Sequence, residues 1–259
     1  MRAASPLRPG AMKRLAQIDT VLQTAYGAPE ARLGNKPDPL DEAIYIILSF
    51  QTDLARFSST WSRLRTAYQT WEALERAAPR EIEQALQTGG LHKQKTRIIR
   101  RLLAAVRKIT GGLSLNFLST LSDKEAEKLL TRLPGLSWKA ARCILLYSLG
   151  REVLPVDGNT FRILKRTGVL SRRTVYRRRI LHDAVQDAVP AHRRRALHVN
   201  LVAHGQRTCL PRAPRCKCCP LATECPKIGL PFATRSGERA IPATPVKATT
   251  AAPRRDARA

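Results

Sequence analysis

The sequence predicts an all-α protein. Three observations carry that reading. Apolar residues recur at three- and four-residue spacing in segment after segment, no segment alternates with period two, and Gly and Pro punctuate the gaps between them. The first periodic run is Leu15–Ala25, where Leu15, Ile18 and Leu22 share one helical face. Gly27–Pro39 interrupts it, and Asp41–Ser49 follows as a short apolar helix. Ser58–Tyr68 repeats the pattern through Trp61 and Leu64. Pro79 and Gly89–Gly90 mark the next breaks, ahead of Ile98–Val106. Gly111–Gly112 precedes Asp123–Leu130, Pro134–Gly135 precedes Lys139–Leu149, and Pro155–Gly158 comes before Arg179–Val189. Aromatic residues make up only 5% of the chain, so the core must rest on Leu, Ile, Val and Ala. Residues 233–259 hold almost no large apolar side chain and are expected to stay disordered, as is a basic arm over residues 1–14.

A chain of 259 residues can bury one large core or two modest ones. Its formal net charge is +26, which calls for a polyanionic partner, and nucleic acid is the obvious one. Removing the contributions of residues 1–14 and 233–259 leaves +18 on residues 15–232, so the folded body is itself basic. Lys93 to Lys108 and Lys165 to Arg179 each contain seven Lys/Arg and no acid, and they are read as candidate DNA faces. No apolar stretch approaches a membrane span and no signal-peptide core follows Met1. The expectation is a soluble intracellular monomer, cytoplasmic and nucleoid-associated in a bacterium. The acid-free Met1–Gly10 gives a faint transit-peptide alternative.

Cys209, Cys216, Cys219 and Cys225 sit in one loop with gaps of six, two and five residues. Thiolates this close can converge on one metal centre, and the residues alone admit an iron–sulfur cluster, a structural zinc or disulfides. Only Cys216 and Cys219 form the short knuckle usual in zinc sites. Cys218 lies off the register and reads as a spare thiol; Cys143, in an apolar run, reads as core.

Leu133-Pro-Gly-Leu-Ser-Trp-Lys139 lies between two helical runs. A Pro-Gly turn there aims backbone N–H groups outward at the start of the second helix, whose dipole is positive at that end. Ser137 is a good N-cap, which puts Lys139 in the first turn. Eighteen residues later stands Asp157 in Leu154-Pro-Val-Asp-Gly-Asn-Thr-Phe-Arg162. Alone, Asp157 reads as an N-cap and Lys139 as a phosphate contact.

Taken in order, the hairpin lysine, the Val-Asp turn, His204-Gly-x-x-x-Cys209 and the uneven cysteine loop resemble the endonuclease III family of helix-hairpin-helix DNA glycosylases. The similarity spans roughly residues 38–228 and includes Leu48-Ser-Phe-Gln-Thr52 and Gly90-Leu-His-Lys-Gln-Lys95. It implies two helical lobes: a six-helix barrel over residues 38–151, and a [4Fe–4S] cluster domain built from residues 15–37 and 152–232. Duplex DNA carrying damaged bases or abasic sites would bind in the groove between them. The same resemblance implies base-excision chemistry with an associated β-elimination step, oxidised pyrimidines being the expected lesions. Asp157 would stabilise oxocarbenium charge and Lys139 would attack C1′ as a Schiff-base nucleophile. For that the lysine must be neutral, and desolvation together with the helix end is expected to lower its pKa. Gln51 and Leu91 would fill the space of a flipped-out nucleotide, with plain packing as the competing reading for both. Pro134, Gly135, Leu136, Ser137 and Asn159 would meet DNA in the hairpin and pocket, and Arg212, Arg215 and Lys217 in the cysteine loop.

The chain departs from the family pattern at several points. Val156-Asp-Gly-Asn159 stands where Val-Asp-Thr-His is common, and is similar to the adenine glycosylases acting opposite oxidised guanine. Against that alternative, Ile46 and Ile47 occupy the place of those enzymes' catalytic Glu, Lys139 is a lysine they lack, and some thirty residues follow the last cysteine. Ser137 replaces the second hairpin glycine, and Leu54 stands where an acid is expected. A uracil or thymine mismatch glycosylase, and a non-catalytic structure-specific DNA-binding protein, remain the other readings.

Overall fold

The computed structural model describes residues 5–27, 34–176 and 179–230. They form eleven α-helices joined by short turns and 3-10 segments, with no strand among the described residues beyond one isolated bridge, Leu7 to Leu170. The all-α expectation holds. Helix α1 is Ala11–Tyr26, α2 Pro39–Leu48, α3 Leu54–Ala67, α4 Trp71–Arg76, α5 Pro79–Leu86 and α6 His92–Thr110. Then follow α7 Asp123–Leu130, α8 Trp138–Tyr147, α9 Gly158–Arg166, α10 Arg179–Asp187 and α11 Arg194–Arg207.

Four of these helices were not legible as periodic runs. Trp71–Arg76 and Pro79–Leu86 are too short for the pattern to repeat, and Pro79 opens its helix at the first position rather than ending one. Gly158–Arg166 begins with Gly-Asn, which reads as a turn until Asp157 is seen capping it. Helix α11 buries Leu197 to Val202 all round, including His198 and Asn200, so it has no polar face for the periodicity to detect.

The apolar interior falls into two clusters. One gathers side chains between Leu40 and Val153, centred on α2, which is buried along nearly its whole length. The other joins α1 to Leu154–Leu221. Between them runs a buried ionic link the sequence did not reveal. Arg142 on α8 is 1% exposed. It donates to Glu127 Oε1 on α7 (2.6 Å), to Asp183 Oδ1 on α10 (2.5 Å) and to the His182 carbonyl (2.6 Å). Removing one partner would strand a buried charge, so this triad fixes the hairpin against α10.

The expected basic arm over residues 1–14 needs correction for its described part. Arg8 N–H donates to the Val169 carbonyl, Ser171 N–H to the Pro6 carbonyl, and helix α1 already starts at Ala11. Backbone pairing to the Leu170 segment holds this stretch, which charge composition alone cannot show. The tail expected to be disordered, residues 233–259, lies outside the described residues.

Candidate active site

The hairpin forms as its residues dictate. Helix α7 starts with a reciprocal cap between Ser122 and Glu125, and α8 starts at Ser137, whose Oγ accepts from Ala140 N–H at 3.3 Å. Gly135 has φ 83°, and a Cβ there would lie 2.4 Å from Ile98, so glycine is required on both counts. Pro134 is half-buried and Ser137 exposed at the turn. Leu136 is corrected: it is buried, and its N–H is taken by the Leu133 carbonyl at 3.2 Å. It shapes the turn from inside and cannot present its amide to a phosphate. Trp138 and Lys139 head α8, where N–H groups have no intrahelical acceptor.

Lys139, Cys143 and Tyr147 fall on one stripe of α8, four residues apart. Lys139 is half-buried, and one turn on the Cys143 thiol is pushed up to about 11 by burial. The expectation of a depressed lysine is overturned. Cys143 is the largest influence, and with Asp157, Tyr176 and Glu42 it raises the Lys139 pKa above its ordinary value, outweighing desolvation. The sequence argument counted burial and the helix end but neither Cys143 one turn on nor the acids Asp157 and Glu42 brought in from other elements.

Asp157 is both the N-cap of α9 and part of this site. Its Oδ1 accepts from Thr160 N–H at 2.7 Å and its Oδ2 from Asn159 Nδ2 at 2.9 Å. Burial alone would raise its pKa, but His198, the Thr160 N–H and Lys139 together hold it below the usual value. His198, on α11, is 2% exposed and is driven down to about 4 chiefly by burial, so it is neutral at physiological pH. Glu42 on α2 is fully buried, accepts from Asn35 Nδ2 (2.6 Å) and Lys36 N–H (2.7 Å), and is raised to about 7 by desolvation. Sequence reasoning missed Glu42 and His198, because neither has a motif and each reaches the site only through helix packing.

Asn159 is also corrected. Expected to face DNA, it turns inward against Gly205, where a Cβ would lie 2.5 Å from the Asn159 Cβ. It donates to Asp157 and accepts from Arg162 Nη2 at 2.8 Å, while Arg162 donates onward to the Gly205 and Cys209 carbonyls, each at 2.9 Å. It orients the carboxylate.

Gln51 and Leu91 come together. Both have positive φ, 50° and 51°, which is uncommon for non-glycine residues and marks held, strained loops. Both are exposed, and with Phe50, Gln94, Lys95 and Ile98 they line a cavity of about 340 Å³. Leu54 is exposed and Asp53 supplies the acid one position earlier, capping α3 through Arg56 N–H at 3.0 Å.

The basic runs are thinner than composition suggests. From the first, Lys95 is buried, Arg107 is paired with Glu75 at 2.6 Å and Arg100 donates to the Ala77 carbonyl, leaving Lys93, Arg97, Arg101 and Lys108 exposed. From the second, Arg166 is buried in the cysteine loop, Arg179 pairs with Asp183 and stacks on Trp138, and Arg177 and Arg178 lie outside the described residues. Arg212, Arg215 and Lys217 are exposed on the cysteine loop.

Cys209, Cys216, Cys219 and Cys225 are all half-buried, whereas Cys218 is exposed with its thiol donating to the Arg215 carbonyl. Burial first, then Cys209, Cys225 and Cys216, raise the Cys219 thiol to about 11, so the four sulfurs lie within electrostatic reach of one another. Arg166 donates to Cys209 Sγ at 3.2 Å, and His204, neutral at about 4 through burial, approaches Cys219 Sγ at 3.7 Å. Among the described residues no three His, Cys, Asp or Glu side chains are grouped tightly enough for one metal ion. A cube of irons and sulfides spreads its thiolates wider than one tetrahedral zinc does, with its Zn–S bonds of about 2.3 Å. Four thiols on one loop, one of them bonded by Arg166, are a donor set that fits the larger group.

A two-cluster helical protein whose hairpin sets a lysine within electrostatic reach of a half-buried carboxylate falls in the class of helix-hairpin-helix nucleic-acid proteins. More specifically, the chain belongs to the HhH-GPD superfamily of base excision DNA repair proteins, whose family model matches residues 44–185. An Arabidopsis thaliana protein named as a DNA glycosylase is 26% identical over 167 residues, covering 64% of this chain but only 56% of the plant protein's length. Endonuclease III of Escherichia coli is 26% identical over 213 residues, covering 82% of this chain and 94% of the enzyme. A solved endonuclease III trapped covalently on DNA shares the fold at TM-score 0.72 with 21% identity, covering 83% of this chain and 96% of that one.

Proposed function

We propose that the protein is a DNA glycosylase with an associated abasic-site lyase activity, acting on damaged bases in duplex DNA. The observation that carries this reading is that Lys139 at the head of α8 and Asp157 at the head of α9 lie close enough for each charge to shift the other's pKa. Lys139 stands at the open end of α8, where a phosphate bound by the hairpin would sit beside it. Asp157 carries the negative charge that a sugar oxocarbenium needs, and Asn159 and the Thr160 N–H hold it in place. The free-base form of Lys139 attacks C1′ and the base departs with the electrons of the C1′–N bond; the amine then sheds its proton as the sugar ring opens to a Schiff base, and loss of a C2′ proton expels the 3′-phosphate by β-elimination. Gln51 and Leu91, on paired strained loops, fill the gap left by the extruded nucleotide. Oxidised pyrimidines are the proposed lesions, on resemblance to endonuclease III. Borohydride trapping on an abasic duplex tests the reading: a covalent protein–DNA band supports it, and its absence with retained DNA binding favours a non-catalytic binder.

Cys209, Cys216, Cys219 and Cys225 would hold a [4Fe–4S] cluster, which would clip the loop bearing Arg212, Arg215 and Lys217 into shape. Anaerobically purified protein is expected to be brown and to contain about four irons per chain. Cys218→Ala should keep the metal and Cys216→Ala should lose it. One bound zinc and no iron would overturn the assignment.

Duplex affinity is expected to fall steeply with salt, log K losing roughly 0.9 per phosphate neutralised for each unit of log salt. Deleting residues 233–259 should reduce that slope modestly. If binding vanished on truncation, the tail rather than the groove would be the main site.

A further inference from the structure

We propose that Lys95 is a positioning residue for nucleotide extrusion, fastening the Gln51 and Leu91 loops to each other. The proposal rests on the reading of those two residues as wedges. Lys95 is 1% exposed, and its ammonium donates to three neutral oxygens: the Leu48 carbonyl at 2.8 Å, Thr52 Oγ1 at 2.7 Å and the Gly89 carbonyl at 2.7 Å. Leu48 ends α2 and Thr52 follows Gln51, while Gly89 lies two residues before Leu91. Thr52 Oγ1 closes the triangle by donating to the Gly89 carbonyl at 2.7 Å. One nitrogen therefore gathers the base of both loops, and both apices carry the uncommon positive φ.

A helix C-terminus does attract lysines, and that alone would account for the bond to Leu48. It does not account for an ammonium withdrawn from water to the point that burial lowers its pKa to about 8, with its other two hydrogens given to separate loops. An apolar side chain would fill the space at less desolvation cost but would take the ammonium from all three oxygens, leaving Gly89 only its bond from Thr52. What the lysine adds is a fixed spacing between Gln51 and Leu91 across the cavity they line. A strained apex is kept only where its surroundings over-determine it.

The test uses the full-length protein and a duplex carrying 2-aminopurine next to an abasic analogue, read by stopped-flow fluorescence. Lys95→Met is expected to lower the extrusion amplitude and duplex strand cleavage by roughly tenfold or more. A single-stranded abasic oligonucleotide needs no extrusion, and its cleavage should stay within about twofold. Thr52→Val removes one acceptor of the ammonium and the hydroxyl's own bond to Gly89, should fall between wild type and Lys95→Met, and decides the matter if the lysine variant does not fold. Leu91→Gly probes the wedge reading itself. Normal extrusion in Leu91→Gly would remove the wedges and this proposal with them. If Leu91→Gly abolished extrusion while folded Lys95→Met or Thr52→Val extruded normally, the wedges would stand and Lys95 would not. Equal losses on single and double strands would likewise overturn it.

Discussion

Lys139→Ala is expected to abolish borohydride trapping and strand cleavage on an abasic duplex while leaving DNA affinity within a few-fold. Trapping reports an imine between a protein amine and C1′, so its loss is all-or-none. Binding, by contrast, spreads over many phosphate contacts, of which Lys139 is one. Lys139→Gln should behave alike, since it retains bulk and hydrogen bonding but has no nucleophilic nitrogen. The elevated pKa adds a signature. With Cys143, then Asp157, Tyr176 and Glu42 favouring the ammonium, the free-base fraction grows as pH rises. Single-turnover trapping by wild type should therefore climb with pH through the neutral range instead of levelling off, as it would for a depressed lysine. Covalent trapping by Lys139→Ala would mean that another amine performs the step.

Asp157→Asn is expected to cut base release by on the order of a hundredfold or more, because the site loses the carboxylate placed to oppose the developing oxocarbenium. Asparagine caps helices nearly as well as aspartate, so α9 should persist and thermal unfolding should change little. Lyase action on a pre-formed abasic site should suffer less than base release, since its first step needs Lys139 rather than the carboxylate. A variant that released base at the wild-type rate would reduce Asp157 to a helix cap. Circular dichroism alongside single-turnover glycosylase assays separates loss of chemistry from loss of fold.

The cysteine loop shows how far local pattern reaches. Spacing alone nominates four thiols and sets Cys218 aside, and the structure leaves those four half-buried and Cys218 exposed, because residues of one short loop are neighbours before anything else folds. The hairpin was equally legible: Gly135 must take a left-handed turn and Ser137 must cap, and both are consequences of residue type. Basic faces were over-read for the opposite reason. A run of Lys and Arg in sequence is spread around a helix, so Lys95 and Arg166 point into the protein and Arg107 finds Glu75.

By itself, then, the sequence determined the all-helical class, the hairpin, the cysteine set and the pairing of Lys139 with Asp157 as candidates. Periodicity, capping and spacing act over a few residues, and for those the chain is its own neighbour. The direction in which each pKa of that pair moves needed the tertiary structure as well. Cys143 on the same helix, His198 from α11 and Glu42 from α2 converge on them, and their influence depends on distance through space and on exclusion of water. It also decided that Asn159 braces the carboxylate instead of facing DNA, since only the packing of α9 against Gly205 on α11 leaves it no other direction.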